Sequence, residues 1–225
     1  MPRDDNQIAL YLAPAEYVDS DAPAVRTKAV ELTSKIADRV EKTRVLYGAV
    51  RDGIRYDPYV DYTDREIYRA SSVLKTGAAY CVGKASLYIA LCRAAGIPAR
   101  LGLADVKNHL ATPRLLEAVG TDVFAYHGYA EVKPKDEWVK ATPTFNVTLC
   151  AKMGVAPLEF SGTDNALLQA YDAAGRTFMS YIADHGTFFD VPAKFLLGEM
   201  ARLYPKLCKP GGLRGPTMEE ESAKR

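Results

Sequence analysis

The chain has 225 residues, 48% of them apolar, so it is long enough to bury one full hydrophobic core or at most two small ones. Basic and acidic residues nearly cancel, 29 against 28, and a net charge of +1 gives no strong field to attract nucleic acid or an anionic membrane. The start of the chain lacks the pattern of a signal peptide, and no apolar run approaches the roughly 18–20 residues of a membrane span. We therefore expect a cytoplasmic protein without nucleic-acid or membrane partners.

Helical patterns occupy the first quarter of the chain. Asp21 and Pro23 are typical of a helix start, with a capping residue followed by a proline that the first turn tolerates. Apolar residues then recur at three- and four-residue steps as far as Val40, which predicts one helix with an apolar face. A second helical stretch ends near Gly53, and Pro58 predicts that the residues just before it are extended.

The most distinctive element is a third helix, predicted from Cys81 to Ala95. Gly96 and Pro98 follow it and form a strong stop signal. The apolar residues of this helix cover most of its circumference. Because a helix that is apolar nearly all round is usually buried, we expect a central helix.

Strand-like segments follow the third helix, and the last two are predicted to form a hairpin through a polar turn. These segments lie at 99–106, 123–132 and 137–142. A long loop, roughly 111–121, separates the first strand from the second, and 167–173 and 192–203 look helical. Along the chain, two helices are followed by a buried helix and then by an antiparallel sheet. This order of elements predicts an α+β fold class.

The predicted elements suggest a single domain. We expect it to span 21–205, with its core at about 43–146, after an N-terminal lead at 1–20. The residues from 206 to 225 are rich in glycine, proline and charge and show no periodicity, so we expect a flexible tail there.

Cys81 is the candidate nucleophile because it opens the predicted buried helix. Backbone N–H groups and the positive end of the helix dipole would face its sulfur and lower its pKa. Of the three histidines, His127 lies in a predicted strand, whereas His109 and His185 lie in irregular segments. A cysteine and a histidine brought together from a helix and a strand suit attack on a carbonyl carbon. The alternative is a small core cysteine and a structural strand histidine.

Several motifs resemble the transglutaminase-like cysteine superfamily, in its bacterial-type members. They are Gly77-x-x-x-Cys81, Arg93-Ala-Ala-Gly-Ile-Pro-Ala-Arg100, His127-Gly-Tyr-Ala-Glu131 and Trp138-Val-Lys-Ala-Thr142-Pro143-Thr144. The resemblance covers roughly 43–146, and its most specific piece is the Gly-Ile-Pro-Ala-Arg run. It implies a papain-like fold in which a Cys–His–Asp triad transfers acyl groups from amides.

Carried over by position, the triad falls on Cys81, His127 and Thr142, and the last stands where the family has an aspartate. A threonine hydroxyl can accept a ring N–H bond, but it is neutral and stabilises an imidazolium less than a carboxylate does. Asn146 is another candidate for orienting the ring. The resemblance implies a transglutaminase-like cysteine hydrolase or acyltransferase that acts on a peptide or protein amide. The alternative is a non-catalytic peptide- or protein-binding pseudoenzyme on the same fold.

The sequence offers no pattern for a metal or cofactor. Three scattered histidines and four separated cysteines lack the spacing of zinc ligands, and no aspartate-rich calcium loop occurs. We expect the cysteines to be free thiols in a reducing compartment. Catalysis is expected to need no cofactor.

Overall fold

The structure, a computed structural model, describes residues 8–109, 111–167 and 179–223. Its helices are α1 (Pro23–Thr33), α2 (Arg39–Gly53), α3 (Ala70–Thr76), α4 (Cys81–Ala94), α5 (Pro113–Val119), α6 (Val147–Met153), α7 (Ala193–Leu203) and α8 (Met218–Ser222). Its strands are β1 (Arg55–Tyr56), β2 (Ala78–Ala79), β3 (Ala99–Asn108), β4 (Val123–Val132), β5 (Val139–Ala141) and β6 (Met179–Phe188). A short 3₁₀ helix spans Arg65–Tyr68.

The main sheet has the strand order β5–β4–β3–β6, and every neighbouring pair in it is antiparallel. Strands β1 and β2 form a separate parallel pair just ahead of α4. Helices packed against an antiparallel sheet confirm the predicted α+β fold class. Within the described ranges, no helix is both long and apolar enough to cross a membrane.

Helix α4 lies in the core and packs against β4 and the helices α1 to α3. Every residue from Cys81 to Arg93 is buried. The fully buried Lys84 donates hydrogen bonds from Nζ to the carbonyl oxygen of Arg51, at 2.8 Å, and to that of Ile54. These bonds satisfy carbonyl groups at the end of α2 and tie that helix to α4.

Glycines allow the backbone to approach α4 closely on two sides. A Cβ atom at Gly83 would lie 2.5 Å from the carbonyl oxygen of Ile67. A Cβ atom at Gly128, in β4, would lie 2.7 Å from Cα of Val82. The middle of β4 therefore rests directly on the first turn of α4, where Cys81 is located.

The N-terminal helical pattern is divided differently from the prediction. The apolar repeat predicted one helix as far as Val40, but α1 ends at Thr33 and α2 begins at Arg39. The reason is Asp38, whose carboxylate accepts a hydrogen bond from the Glu41 N–H at 2.7 Å. This N-cap starts a new helix inside a continuous apolar repeat.

The sequence did not predict several elements, among them α3, α5, α6 and β6. Helix α5 occupies the segment expected to be a loop, and its start is fixed by Thr112, which accepts a hydrogen bond from the Leu115 N–H at 3.2 Å. Strand β6 is mostly exposed and has no apolar alternation, so only its pairing with β3 defines it. The helix predicted at 192–203 corresponds to α7, and the one at 167–173 falls almost wholly outside the described residues.

The two end segments pack onto the domain over their described residues. Val18 is fully buried and its N–H donates to the Asp190 carboxylate at 2.9 Å. In α8, Met218 is fully buried and Glu221 pairs with Arg114 at 2.6 Å. These long-range contacts hold the described parts of both end segments against the domain, although the segments have no helical or strand periodicity of their own.

Candidate active site

A narrow, largely buried cavity of about 50 Å³ lies at the junction of α4 and β4. Cys81 and His127 both line it, and they are only 8% and 6% exposed. The structure therefore brings the sequence-predicted nucleophile and base to one cavity. The rest of its wall is mainly aromatic and apolar and includes Tyr56, Tyr62, Tyr80, Phe124, Phe145, Met200, Tyr204 and Leu207.

Cys81 is the first residue of α4, and its sulfur faces backbone donors. Tyr80, the N-cap residue, is extended and its side chain makes no capping hydrogen bond, so it does not compete for the N–H groups of the first turn. The Gly128 N–H donates to Cys81 Sγ at 3.5 Å. The N–H groups of Cys81 and Val82 also favour a negative charge on the sulfur.

Burial nevertheless has the largest effect on the pKa values of the Cys81 thiol and the His127 imidazole. It raises the pKa of the Cys81 thiol to about 11, although the N–H groups of Gly128 and Val82 act in the opposite direction. Burial also lowers the pKa of the His127 imidazole to about 4. At pH 7 both groups are neutral in this conformation. The N–H groups at the helix start thus lower the thiol pKa as expected, but burial in the apolar cavity outweighs them, because it disfavours both charged forms.

Thr142, the residue at the family's aspartate position, lies directly after β5. Its N–H donates to the carbonyl oxygen of Ala166 at 2.9 Å, and its own carbonyl accepts from the Tyr47 hydroxyl at 3.1 Å. Its side-chain oxygen is buried and has no hydrogen-bond partner among the described residues, and the same is true of His127 Nε2. The backbone of Thr142 is thus firmly held, but its hydroxyl is not bonded to Nε2 of the histidine.

Asn146, the other candidate orienter, uses its amide elsewhere. Its Oδ1 accepts from the Tyr56 N–H at 3.1 Å. Its Nδ2 donates to Thr148 Oγ1 and to Glu219 Oε1, each at 2.6 Å. These bonds connect β1, α6 and α8, so the amide supports the wall of the cavity and does not reach Nε2 of His127.

Thr144 is a candidate that sequence reasoning missed. The pairing of β4 with β5 ends at Ala130 and Ala141. Strand β5 ends there, but the same register continued for three more residues would bring Thr144 level with His127. The Thr144 hydroxyl is also buried, with no partner in the described part of the chain. The available signal was the spacing from Thr142, because residues two apart in an extended chain face the same side.

The C-terminal third of the chain supplies one wall of the cavity. Met200 comes from α7, and Tyr204 and Leu207 follow that helix. The Tyr204 hydroxyl donates to the Val123 carbonyl at 3.1 Å and accepts from the Ala125 N–H at 2.7 Å, so it is fixed to β4 close to the histidine. Sequence reasoning predicted the helix but did not assign it to the site.

Neither of the remaining histidines is among the residues that line the cavity. His109 is exposed, and His185 Nε2 lies 2.7 Å from the Asp105 carboxylate. Cys92 and Cys208 are free thiols. In the parts of the chain that the structure describes, no three or more His, Cys, Asp or Glu side chains are grouped so as to hold a metal ion.

A cysteine at the start of a buried helix, with a histidine strand packed against it, is the layout of a papain-like cysteine protein. Residues 26–143, just over half of the chain, match the family model of the transglutaminase-like superfamily, and the chain belongs to that superfamily. No curated protein matches the chain significantly.

One solved structure similar to this chain is that of a proposed cysteine protease from Cytophaga hutchinsonii. The two are 21% identical and superpose with a TM-score of 0.49. The match covers 84% of this chain and 57% of that protein, so the chain spans little more than half the length of its structural relative.

Proposed function

We propose that the protein is a cysteine-dependent amide hydrolase or acyltransferase, with Cys81 as the nucleophile and His127 as the general base. Membership of the superfamily supports cysteine-protease-like chemistry in general terms. The observation that carries the specific proposal is the contact between β4 and α4. The N–H of Gly128, the residue after His127, lies 3.5 Å from the Cys81 sulfur, and both side chains line one cavity.

Attack by the thiol must be coupled to proton transfer, because pKa values of about 11 and 4 keep Cys81 and His127 neutral at rest. As the sulfur bonds to the amide carbon, its proton passes to the imidazole. The N–H groups at the start of α4 stabilise the oxyanion that forms. The C–N bond then breaks, the leaving amine takes the proton from the imidazolium, and water or an amine releases the acyl group from the thioester.

The absence of a carboxylate at Thr142 should make this cycle slow. In a serine protease, replacing the charged third residue by a neutral amide lowers kcat about 10⁴-fold, because the histidine is then held in the wrong tautomer and its imidazolium lacks a carboxylate partner. Formation of a single acyl-enzyme is therefore a better readout than turnover. Substrates of the proposed class are peptide or protein amides.

Trapping of the acyl-enzyme tests the proposal directly. The protein is incubated with a library of glutamine-containing peptides and peptide amides, quenched in acid, and read by intact mass and peptide mapping. We expect the acyl mass on Cys81, its loss in Cys81→Ala and a lower yield in His127→Gln. Cys208→Ala is the matched control and should retain the adduct, since that half-buried thiol lies outside the cavity lining. An adduct that persists in Cys81→Ala would refute the assignment.

A second candidate function, a non-catalytic peptide- or protein-binding module, is favoured by the unbonded Thr142 hydroxyl and the neutral Cys81–His127 pair. Site-resolved alkylation by iodoacetamide separates the two candidates. If the site is catalytic, His127 should take the thiol proton during alkylation, so Cys81 should react faster in the wild type than in His127→Gln, whereas the rate at Cys208 should be the same in both proteins. A Cys81 alkylation rate that is the same in the wild type and in His127→Gln would support the binding module.

A further inference from the structure

Tyr126, the residue before His127, has an unusual backbone conformation. Its φ is +57°, and among the residues that the structure describes it is the only one other than glycine with a positive φ. This left-handed region is sterically unfavourable for a bulky aromatic residue. Such strained residues persist only where their surroundings fix them, and they cluster at functional sites.

The strained residue forms part of a β-bulge. The pairing of β3 with β4 is regular up to Ala104 opposite His127 and resumes with Val106 opposite Phe124. Asp105 therefore stands opposite two residues of β4 instead of one. A bulge re-aims the side chains of its strand, so the direction of the histidine depends on the conformation of the residue immediately before it.

The Asp105 carboxylate holds this bulge in place. Its Oδ1 accepts a hydrogen bond from the Tyr126 N–H at 3.0 Å and lies 2.7 Å from Nε2 of His185. The Tyr126 ring lies on the His185 ring, with 4.7 Å between centroids, and its hydroxyl donates to Glu199 Oε2 at 3.0 Å. The backbone and the ring of the strained tyrosine are thus each fixed by a carboxylate.

We propose that Asp105 is a positioning residue for His127. It stabilises the left-handed bulge at Tyr126 and so holds the imidazole in the cavity beside Cys81. Its carboxylate acts through the backbone, whereas the family's aspartate, replaced here by Thr142, acts on the ring itself. This inference rests on the proposed function, since it assigns Asp105 to the orientation of the proposed base.

The main test compares two substitutions at Asp105. Asp105→Ala removes the acceptor of the Tyr126 N–H, whereas Asp105→Asn keeps an oxygen acceptor in the same place. The readouts are the rate of Cys81 alkylation as a function of pH and the rate of single-turnover acylation. We expect Asp105→Ala to lower both rates by about 10- to 100-fold, the range typical of a misplaced catalytic group, and to abolish their dependence on His127. Asp105→Asn should stay close to the wild type.

Repeating Asp105→Ala in a Tyr126→Gly variant tests whether Asp105 acts on His127 through the bulge. Glycine adopts a positive φ without strain, so in Tyr126→Gly the carboxylate is no longer needed to hold that conformation. Asp105→Ala should therefore lower the rates far less in this background than in the wild type. Asp122→Ala is the matched control, because this carboxylate pairs with Lys107 at 3.0 Å beside the same two strands, and it should change neither rate.

Several outcomes would overturn the inference. A lower melting temperature of Asp105→Ala with unchanged alkylation and acylation rates would show that Asp105 is only a structural residue. The inference would also be contradicted if Asp105→Ala lowered the two rates equally in the wild type and in Tyr126→Gly, or if Asp105→Asn lowered them as much as Asp105→Ala does. If Asp105→Ala does not fold alone, the double variant with Tyr126→Gly replaces it and must keep the rates of Tyr126→Gly alone. If His127→Gln alone leaves the alkylation and acylation rates at their wild-type values, the proposed function is refuted instead. The two failures are therefore distinguishable.

Discussion

Replacement of Lys84 by methionine should change the pH dependence of the protein's stability. Lys84 is fully buried in α4, and its Nζ donates to the carbonyl oxygens of Arg51 and Ile54. Burial lowers the pKa of its ammonium group from 10.5 to about 7. Methionine has a similar length but carries no charge, so the substitution removes the titrating group and keeps most of the packing.

The direction of the effect follows from proton binding. Between pH 7 and 10.5 the unfolded chain holds a proton on Lys84 that the folded protein does not, so unfolding takes up a proton and the free energy of unfolding rises with pH. A tenfold change in an equilibrium constant is worth about 1.4 kcal/mol, so the rise from Lys84 between pH 7 and 9 should be about 2 kcal/mol. Above pH 9 the buried thiols of Cys81 and Cys92, whose pKa values are raised, act in the opposite direction.

The change of the free energy of unfolding with pH is more informative than its value at one pH. Methionine leaves the carbonyl groups of Arg51 and Ile54 without their donor, at a cost of about 1–3 kcal/mol each, which offsets the gain from removing a buried charge near pH 7. Urea unfolding followed by circular dichroism between pH 6 and 9 gives the slope. Lys75→Met, on the exposed face of α3, is the control. Its free energy of unfolding, plotted against pH, should run parallel to that of the wild type. A Lys84→Met curve that is also parallel would refute titration near pH 7.

Two further substitutions test the packing around the site. Gly128→Ala places a Cβ atom 2.7 Å from Cα of Val82, and we expect a loss of about 1–3 kcal/mol in unfolding free energy together with slower alkylation of the nucleophile. Gly198→Ala, where a Cβ would have nothing within 4 Å, should cause neither change, and equal effects of both would contradict the close approach. Glu221→Gln removes the charge paired with Arg114 at 2.6 Å, and it should lower the free energy of unfolding by about 1–3 kcal/mol and with it the urea midpoint. An unchanged midpoint would show that this ion pair does not hold α8 on the domain.

Local signals were sufficient for the central part of the fold. The Gly96 and Pro98 stop, the apolar circumference of the third helix and the strand alternation predicted α4 and the β4–β5 hairpin closely. The same signals placed Cys81 at a helix start and His127 in a strand. These features depend on neighbours within a few residues, which is the information that spacing and propensity contain.

The remaining features depend on contacts between distant segments. No spacing could indicate that Tyr126 would adopt a positive φ, since its bulge is fixed by Asp105 from another strand. The same applies to the cavity wall formed by Tyr204, whose hydroxyl bonds to β4. The raised pKa of Cys81 likewise results from burial by the whole fold, whereas the sequence showed only the helix start that opposes it.

The position of one cavity wall in the chain has a consequence for the newly made protein. Met200, Tyr204 and Leu207 come later in the sequence than the other residues that enclose Cys81. The 75 residues from the end of β4, at Val132, to Leu207 take roughly 4–15 s to synthesise at about 5–20 residues per second. Until those residues are made, this wall cannot enclose the thiol, so we expect Cys81 to ionise and oxidise more readily in the nascent chain than in the finished protein.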